Sequence, residues 1–189
     1  MKLYRPIKTF MRTQRFGENL NPYYKSVGMR GHSGEDWKLW EGEPIYHGGD
    51  WEGVAQTEVD RDGGIGVDVF SKDKQEDLGL VKLRYWHLQK VAVYDGQKIL
   101  PGQLIGYGDS TGISTGHHLH FALKQVNSRG RTLNTNNGYY GGIDFSKWFD
   151  HQTFVLDVLG VEQQRIALMK QIVKLYTQII DILKGRKSK

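Results

Sequence analysis

The sequence contains no cysteine, which excludes disulfides, thiolate nucleophiles and cysteine-ligated zinc together. Compartment stays open, because a cysteine-free chain tolerates oxidising and reducing surroundings alike. No apolar run is long enough to span a membrane. The N-terminus has bases but lacks the apolar core of a secretory signal. There is no His-Glu-x-x-His helix motif, so a metal site with that glutamate base is excluded. Proline is scarce, at four residues, whereas glycine is abundant, at 24 of 189, and ten tyrosines accompany it. That balance argues for strands and turns over a helical bundle or a disordered chain. Hydrophobic content of 38% and charged content of 25% suit a globular chain with one full core and at most an appendage.

The net charge of +5 is unevenly spread. Residues 1–17 carry five bases and no acid, and 151–189 carry seven bases and three acids. The body between them is therefore mildly acidic. A nucleic-acid binder more often places its basic stripe on the folded body, so no nucleic-acid partner is expected. Basic ends suit an anionic surface, or are simply solvated.

From about Pro44 to Leu123 short strand patterns alternate with turns. The candidates are Val54–Val59, Ile65–Ser71, Val81–Leu88, Lys90–Tyr94, Gln103–Tyr107 and His118–Gln125, punctuated by Asp62-Gly63-Gly64, Asp95-Gly96 and Pro101-Gly102. Strands at this spacing without intervening helices predict a mainly β fold with a mostly antiparallel sheet. Residues 127–142 read as a loop. Near Trp148 the pattern changes: Ile166, Met169, Val173, Tyr176, Ile180 and Leu183 step by three and four, predicting a C-terminal amphipathic helix. Gly160 is expected to break it from the segment before. The expected division is 1–150 for one domain and 151–189 for the helix and its basic tail. The wide apolar face can pack on its own domain, self-associate, or meet an acidic partner.

Seven histidines carry the chemistry. In His117-His118-Leu119-His120 the period of a strand puts His118 and His120 on one face and His117 on the other. Two such imidazoles can share a metal, or one can bind it while the other works beside it, and spacing does not say which. Within Gly28–Trp37, three glycines in seven residues predict a turning loop on which His32 and Asp36 converge. With one more histidine they make a three-ligand zinc site with an open fourth position. His87, in Tyr85-Trp86-His87-Leu88, supplies a further imidazole able to move a proton or stabilise an oxyanion. Each motif alone is weak, since an isolated His-x-His pair is more often structural. Glu35 reads as a solvated or structural carboxylate.

Taken in order, Gly31-His32-Ser33-Gly34-Glu35-Asp36, Tyr85-Trp86-His87-Leu88, Gly102-Gln103-Leu104-Ile105-Gly106 and Ser110–Phe121 resemble the lysostaphin-type (LytM-like) zinc endopeptidases. The resemblance runs from about Thr13 to Phe149. It implies a mostly antiparallel sheet with a loop-walled groove, zinc held by His32, Asp36 and His120, and catalytic imidazoles at His87 and His118. It implies hydrolysis of peptide cross-bridges in bacterial peptidoglycan at the cell wall. Without a visible signal, release by another agent is expected, as for a phage or prophage lysin. The alternative is a wall-binding or hydrolase-activating module without catalysis, as in relatives that lack ligands, but all five positions are filled here. Three departures stand out: His117 where the family usually has proline, Trp37 as a bulky residue expected in the groove wall, and Asp144-Phe145 where Asp-Pro is common.

Overall fold

The computed structural model describes residues 1–9, 11–62 and 64–160, and beyond them the single positions Met169, Ile172, Val173, Tyr176 and Ile180. Two compact units divide after Val155. Most of the first is one large sheet. The strands expected from the sequence are present as β5 (Gly53–Asp60), β6 (Gly64–Ser71), β7 (Val81–Val91), β9 (Leu104–Gly108) and β10 (His118–Gln125). The two runs expected at 81–88 and 90–94 are a single strand, β7. Shorter strands that alternation alone did not reveal are β1 (Leu3–Arg5), β2 (Arg12–Gln14), β3 (Glu35–Lys38), β4 (Pro44–Tyr46), β8 (Lys98–Ile99), β11 (Gly142–Ile143) and β12 (Phe149–Phe154). Apart from β12, which has six residues, these are runs of two to four residues, with too few side chains to show a period of two.

The main sheet runs β2-β3-β10-β7-β6-β5-β8, with β11 on β10, and β9 bridging β7 and β4. Its pairings are antiparallel throughout; β1 and β12 form a separate parallel pair. Alternation divides the central strands into two chemically opposite faces. Val67, Val69, Leu83, Tyr85, Leu119, Phe121, Leu123 and Trp37 point to the core. Phe145 and Phe149 pack edge-on or tilted against Phe121 at 5.4 and 5.8 Å. Burying each such side chain is worth roughly 1.5–3 kcal/mol. The opposite face carries Asp68, Lys82, Arg84, Trp86, His120 and Lys124. Trp37, expected in the groove wall, is 1% exposed, because it follows Asp36 in a strand and must point the other way. Phe145 is likewise core.

One polar contact is set inside this core. His47 is fully buried, with Nε2 2.9 Å from the Trp51 carbonyl and Nδ1 3.0 Å from the Tyr85 hydroxyl. The Tyr85 hydroxyl also accepts the Gly48 N–H at 3.0 Å. The network assigns the His47 proton to Nε2, so Tyr85 donates to Nδ1 and ties the 47–51 turn to β7.

Residues 155–160 are helical, all but Val155 in the second unit, and so are the single positions described beyond them. Gly160 is the last described residue of that helical run, so the break expected there and the remainder of the expected heptad seam fall outside the described residues. No described helix is long and apolar enough to cross a membrane.

Tyr85→Phe strands a buried acceptor on His47 and a buried donor on Gly48, and is expected to cost about 1–3 kcal/mol of unfolding free energy. Urea denaturation measures it; unchanged stability would show that this network does not hold the turn.

Candidate metal centre and its flanking imidazoles

Four segments meet at one end of the polar face. His32 comes from the loop before β3. Its N–H donates to the Glu18 carbonyl at 2.9 Å, and its carbonyl accepts the Gly17 N–H at 2.9 Å. Asp36 stands in β3 itself, not on the turning loop expected, and is paired directly opposite His120 of β10. Gly34 is required where the loop enters the strand. A Cβ there would lie 2.5 Å from the Phe121 carbonyl oxygen and 3.0 Å from His120 Cε1, too close for any side chain.

The result is a buried triangle. His32 Nε2 is 2.9 Å from His120 Nδ1 and 3.1 Å from Asp36 Oδ1, and His120 Nδ1 is 3.0 Å from the same oxygen. These three residues form the group able to hold a metal ion among the described residues. The donor set fits zinc: two imidazole nitrogens and a carboxylate oxygen, at separations near the roughly 3.3 Å that bonds of about 2.0–2.1 Å impose on a tetrahedron. His32 Nδ1 lies 3.3 Å from the Arg15 carbonyl, which makes Nδ1 the protonated nitrogen and turns the Nε2 lone pair inward. One cation at the centre would satisfy all three atoms at once.

Burial acts against charge on Asp36, but the His120 and His32 rings beside it outweigh burial and hold its carboxyl far below the usual range. Burial pushes His120 down to about 3, opposed by Asp36. Both residues thus favour the states that bind metal: an ionised carboxylate and a neutral imidazole.

Two further imidazoles border the triangle, their rings 4.5 Å apart. His118 lies two residues from His120 on the same face, with Nε2 3.6 Å from Asp36 Oδ2. Its Nδ1 is 2.9 Å from the Gly116 carbonyl and 3.1 Å from Ser114 Oγ. His87 reaches the site by breaking alternation. Trp86 already faces the groove opposite His120, so the next residue in a regular strand would point into the core. A left-handed backbone at His87, φ 65°, together with register shifts on both sides of β7, turns it back. Such a conformation costs roughly 1–3 kcal/mol in a non-glycine residue. Thr111 holds it. Its carbonyl accepts from His87 Nδ1 at 2.7 Å, its hydroxyl donates to the Leu88 carbonyl at 2.7 Å, and that hydroxyl accepts the Ile65 N–H at 3.1 Å. Burial, with His118 beside it, pushes His87 below the usual imidazole range.

The other expected features fall outside the triangle. His117 points away and pairs with Asp109 at 2.9 Å. Glu35 is buried and structural, 3.0 Å from Arg12. Sequence reasoning missed Thr111, which acts chiefly through backbone contacts. It also missed the polar face of β7, although Lys82, Arg84 and Trp86 alternate in plain view.

A fold and a donor set of this kind define a metallopeptidase class, and the comparisons identify it. The chain belongs to peptidase family M23, whose profile matches residues 30–135. It is 35% identical over 123 residues to the peptidoglycan DD-endopeptidase ShyA of Vibrio cholerae, covering 61% of this chain and 24% of that protein. It is 31% identical over 105 residues to the glycyl-glycine endopeptidase ALE-1 of Staphylococcus capitis, covering 56% of this chain and 28% of that protein. The chain therefore spans about a quarter of the length of these relatives. Among solved structures, the catalytic domain of lysostaphin from Staphylococcus simulans superposes with a TM-score of 0.52 at 25% identity, covering 68% of this chain and 90% of that domain.

The buried neutral imidazoles fix the sign of a pH dependence. His47 is lowered from 6.5 to about 4 by burial, against its hydrogen bond to Trp51, and His120 falls further. Between these values and 6.5 the unfolded chain binds more protons than the folded one, so stability rises with pH and is lost as pH falls. The unfolding free energy of the metal-free protein is expected to drop from about pH 6.5 towards pH 4, by up to about 1.4 kcal/mol per pH unit for each histidine. Urea titrations across that range check it; a flat profile contradicts it.

Proposed function

We propose that this chain is a zinc-dependent endopeptidase that hydrolyses peptide bonds in bacterial peptidoglycan, acting at the cell wall. The observation that carries the reading is the buried convergence of His32 Nε2, Asp36 Oδ1 and His120 Nδ1 beside two imidazoles that are not part of the triangle. The peptidoglycan substrate is supported by the similarity to ShyA, a peptidoglycan DD-endopeptidase, and the peptide-bond cleavage by the similarity to ALE-1, a glycyl-glycine endopeptidase.

In this reading His32, Asp36 and His120 hold the ion. When bound, zinc supplies Lewis acidity, polarising a carbonyl oxygen and making water acidic enough to be deprotonated near neutral pH. The chain's own contribution is proton handling and orientation. His87 donates through Nδ1 to the Thr111 carbonyl, which leaves Nε2 as its basic atom. His118 is anchored in the same sense by the Gly116 carbonyl. Being neutral, His87 can accept a proton from the attacking water at Nε2 and return it to the departing amine, with His118 placed beside it to share that transfer. Burial and the neighbouring His118 favour the neutral form of His87. The core behind β7 and β10 fixes both strands, so neither imidazole has to be ordered when substrate arrives.

The catalytic domain proposed is residues 1–150 and the appendage 151–189, a division five residues before the end of the first compact unit. Self-association through the helix belongs to the same proposal. It is supported by the exposure of Met169, Val173, Tyr176 and Ile180.

His32→Ala and His120→Ala are expected to lose zinc by elemental analysis. His87→Ala and His118→Ala should keep about one zinc per chain, yet cleave a soluble cross-bridge peptide roughly 10²–10⁴-fold more slowly. Full zinc in either ligand variant, or near-normal turnover in either flanking variant, would refute the corresponding role. A wild-type protein that binds zinc and releases no fragments from purified wall would favour the binding or activator module.

A further inference from the structure

The polar face of the sheet does not end at the metal triangle. A continuous line of contacts leaves it along β7 and β6. The Trp86 ring lies 6.1 Å from the His120 ring, and the Arg84 guanidinium stacks 4.1 Å over Trp86. Arg84 donates to both oxygens of Asp68 at 2.8 and 2.7 Å, and Lys82 Nζ donates to Asp68 at 2.6 Å. Lys82 then sits 5.2 Å over the Phe70 ring. Gly66 keeps the line open, since a Cβ there would collide with Trp86 Cδ1 at 2.0 Å. Paired with Lys82 on β10 is Lys124, 5% exposed, whose ammonium donates to the Tyr140 carbonyl at 2.9 Å.

Beyond Lys82 the face opens into a cavity of about 450 Å³ between Phe70 and the 127–131 turn, lined also by Glu58, Arg129 and Arg131. The turn is rigid. Asn127 Oδ1 accepts the backbone N–H groups of both Arg129 and Arg131, at 2.9 and 3.1 Å. Neither guanidinium has a carboxylate partner among the described residues. The acids facing this region are Asp68, already saturated by Lys82 and Arg84, and Glu58 and Asp60 at the β5 end, which act on Arg84. Glu58 also accepts from Gln56 at 2.9 Å. Four cations, Lys82, Arg84, Arg129 and Arg131, therefore face three carboxylates, and the two without a carboxylate partner among the described residues, Arg129 and Arg131, line the cavity. Burial, with Arg84 and Lys82 close by, pushes Lys124 down to about 7, as expected where positive charge is crowded.

We propose that this cavity is a subsite for a free carboxylate on the peptide being cleaved, held by Lys82, Arg129 and Arg131. Planar guanidinium forks beside an ammonium match a carboxylate's geometry. His120 and Lys124 are four positions apart on β10, about 13 Å at a strand's rise. The recognised group therefore lies about four extended residues from the bond at the metal. This assignment of substrate class rests on the endopeptidase reading above.

The test compares binding of two blocked Gly/Ala peptides that differ only in Glu or Gln four residues from a central bond, made with that residue on either side. Titrations use the full chain with chelator present, so that the peptides survive. In one of the two directions the Glu peptide should bind roughly tenfold or more tightly than its Gln partner, the scale of one hydrogen-bonded charge. That preference should vanish in the exposed double variant R129Q/R131Q and, if it folds, in Lys82→Gln. No preference in either direction, or one that survives R129Q/R131Q, overturns the subsite. Cleavage by the zinc-loaded protein, measured separately on soluble cross-bridge peptide, reports on the endopeptidase reading. Its failure leaves the binding comparison intact.

Discussion

The site depends on the register between β3 and β10. Pairing Asp36 with His120 and Lys38 with His118 places a carboxylate across from one imidazole and one residue-pair away from the next. A slip of one residue would send His118 and His120 into the core and bring Leu119 and Phe121 out. The apolar residues between the histidines therefore fix the chemistry: Leu119, Phe121 and Trp37 are at most 1% exposed, and no other register buries them. The same hydrophobic constraint aligns β7, which brings Trp86 opposite His120 and lays the charged floor beside it.

Against that rigid frame stands a strained residue at the site itself, one of three non-glycine positions with positive φ among the described residues. His87 holds a left-handed backbone that regular alternation does not need and the flanking imidazole position does. Strain of this kind persists where the surroundings over-determine it. Here Thr111 does so from three directions, through its carbonyl to His87 and its hydroxyl to Leu88 and Ile65. A ring that can be neither rotated away nor retautomerised without breaking these contacts is already held in the position that the proposed proton transfer needs.

What could be read beforehand follows the same physics. Long strands with a clear period of two, β5, β6 and β10, were legible almost to the residue. So was the common face of His118 and His120. The family resemblance then supplied candidate roles that spacing left open. Asp36 was misplaced on a loop because β3 has only four residues and follows a glycine-rich turn. Trp37 was misassigned to the groove for the same reason: without the strand, its inward direction was not deducible. The reversal at His87 had no local signal, since neither glycine nor asparagine marks it. The paired cations at Lys82, Arg84 and Lys124 were visible as alternating letters, but only the register shows that one carboxylate serves two of them.

The central claim is that three named atoms form one metal site. Its most direct test is a crystal structure of the zinc-loaded protein with anomalous data collected on both sides of the zinc edge. The account predicts a single peak about 2.0–2.2 Å from His32 Nε2, Asp36 Oδ1 and His120 Nδ1, with His87 and His118 outside bonding distance. A peak bonded to His118 in place of His120, or centred on the His117–Asp109 pair, would contradict it.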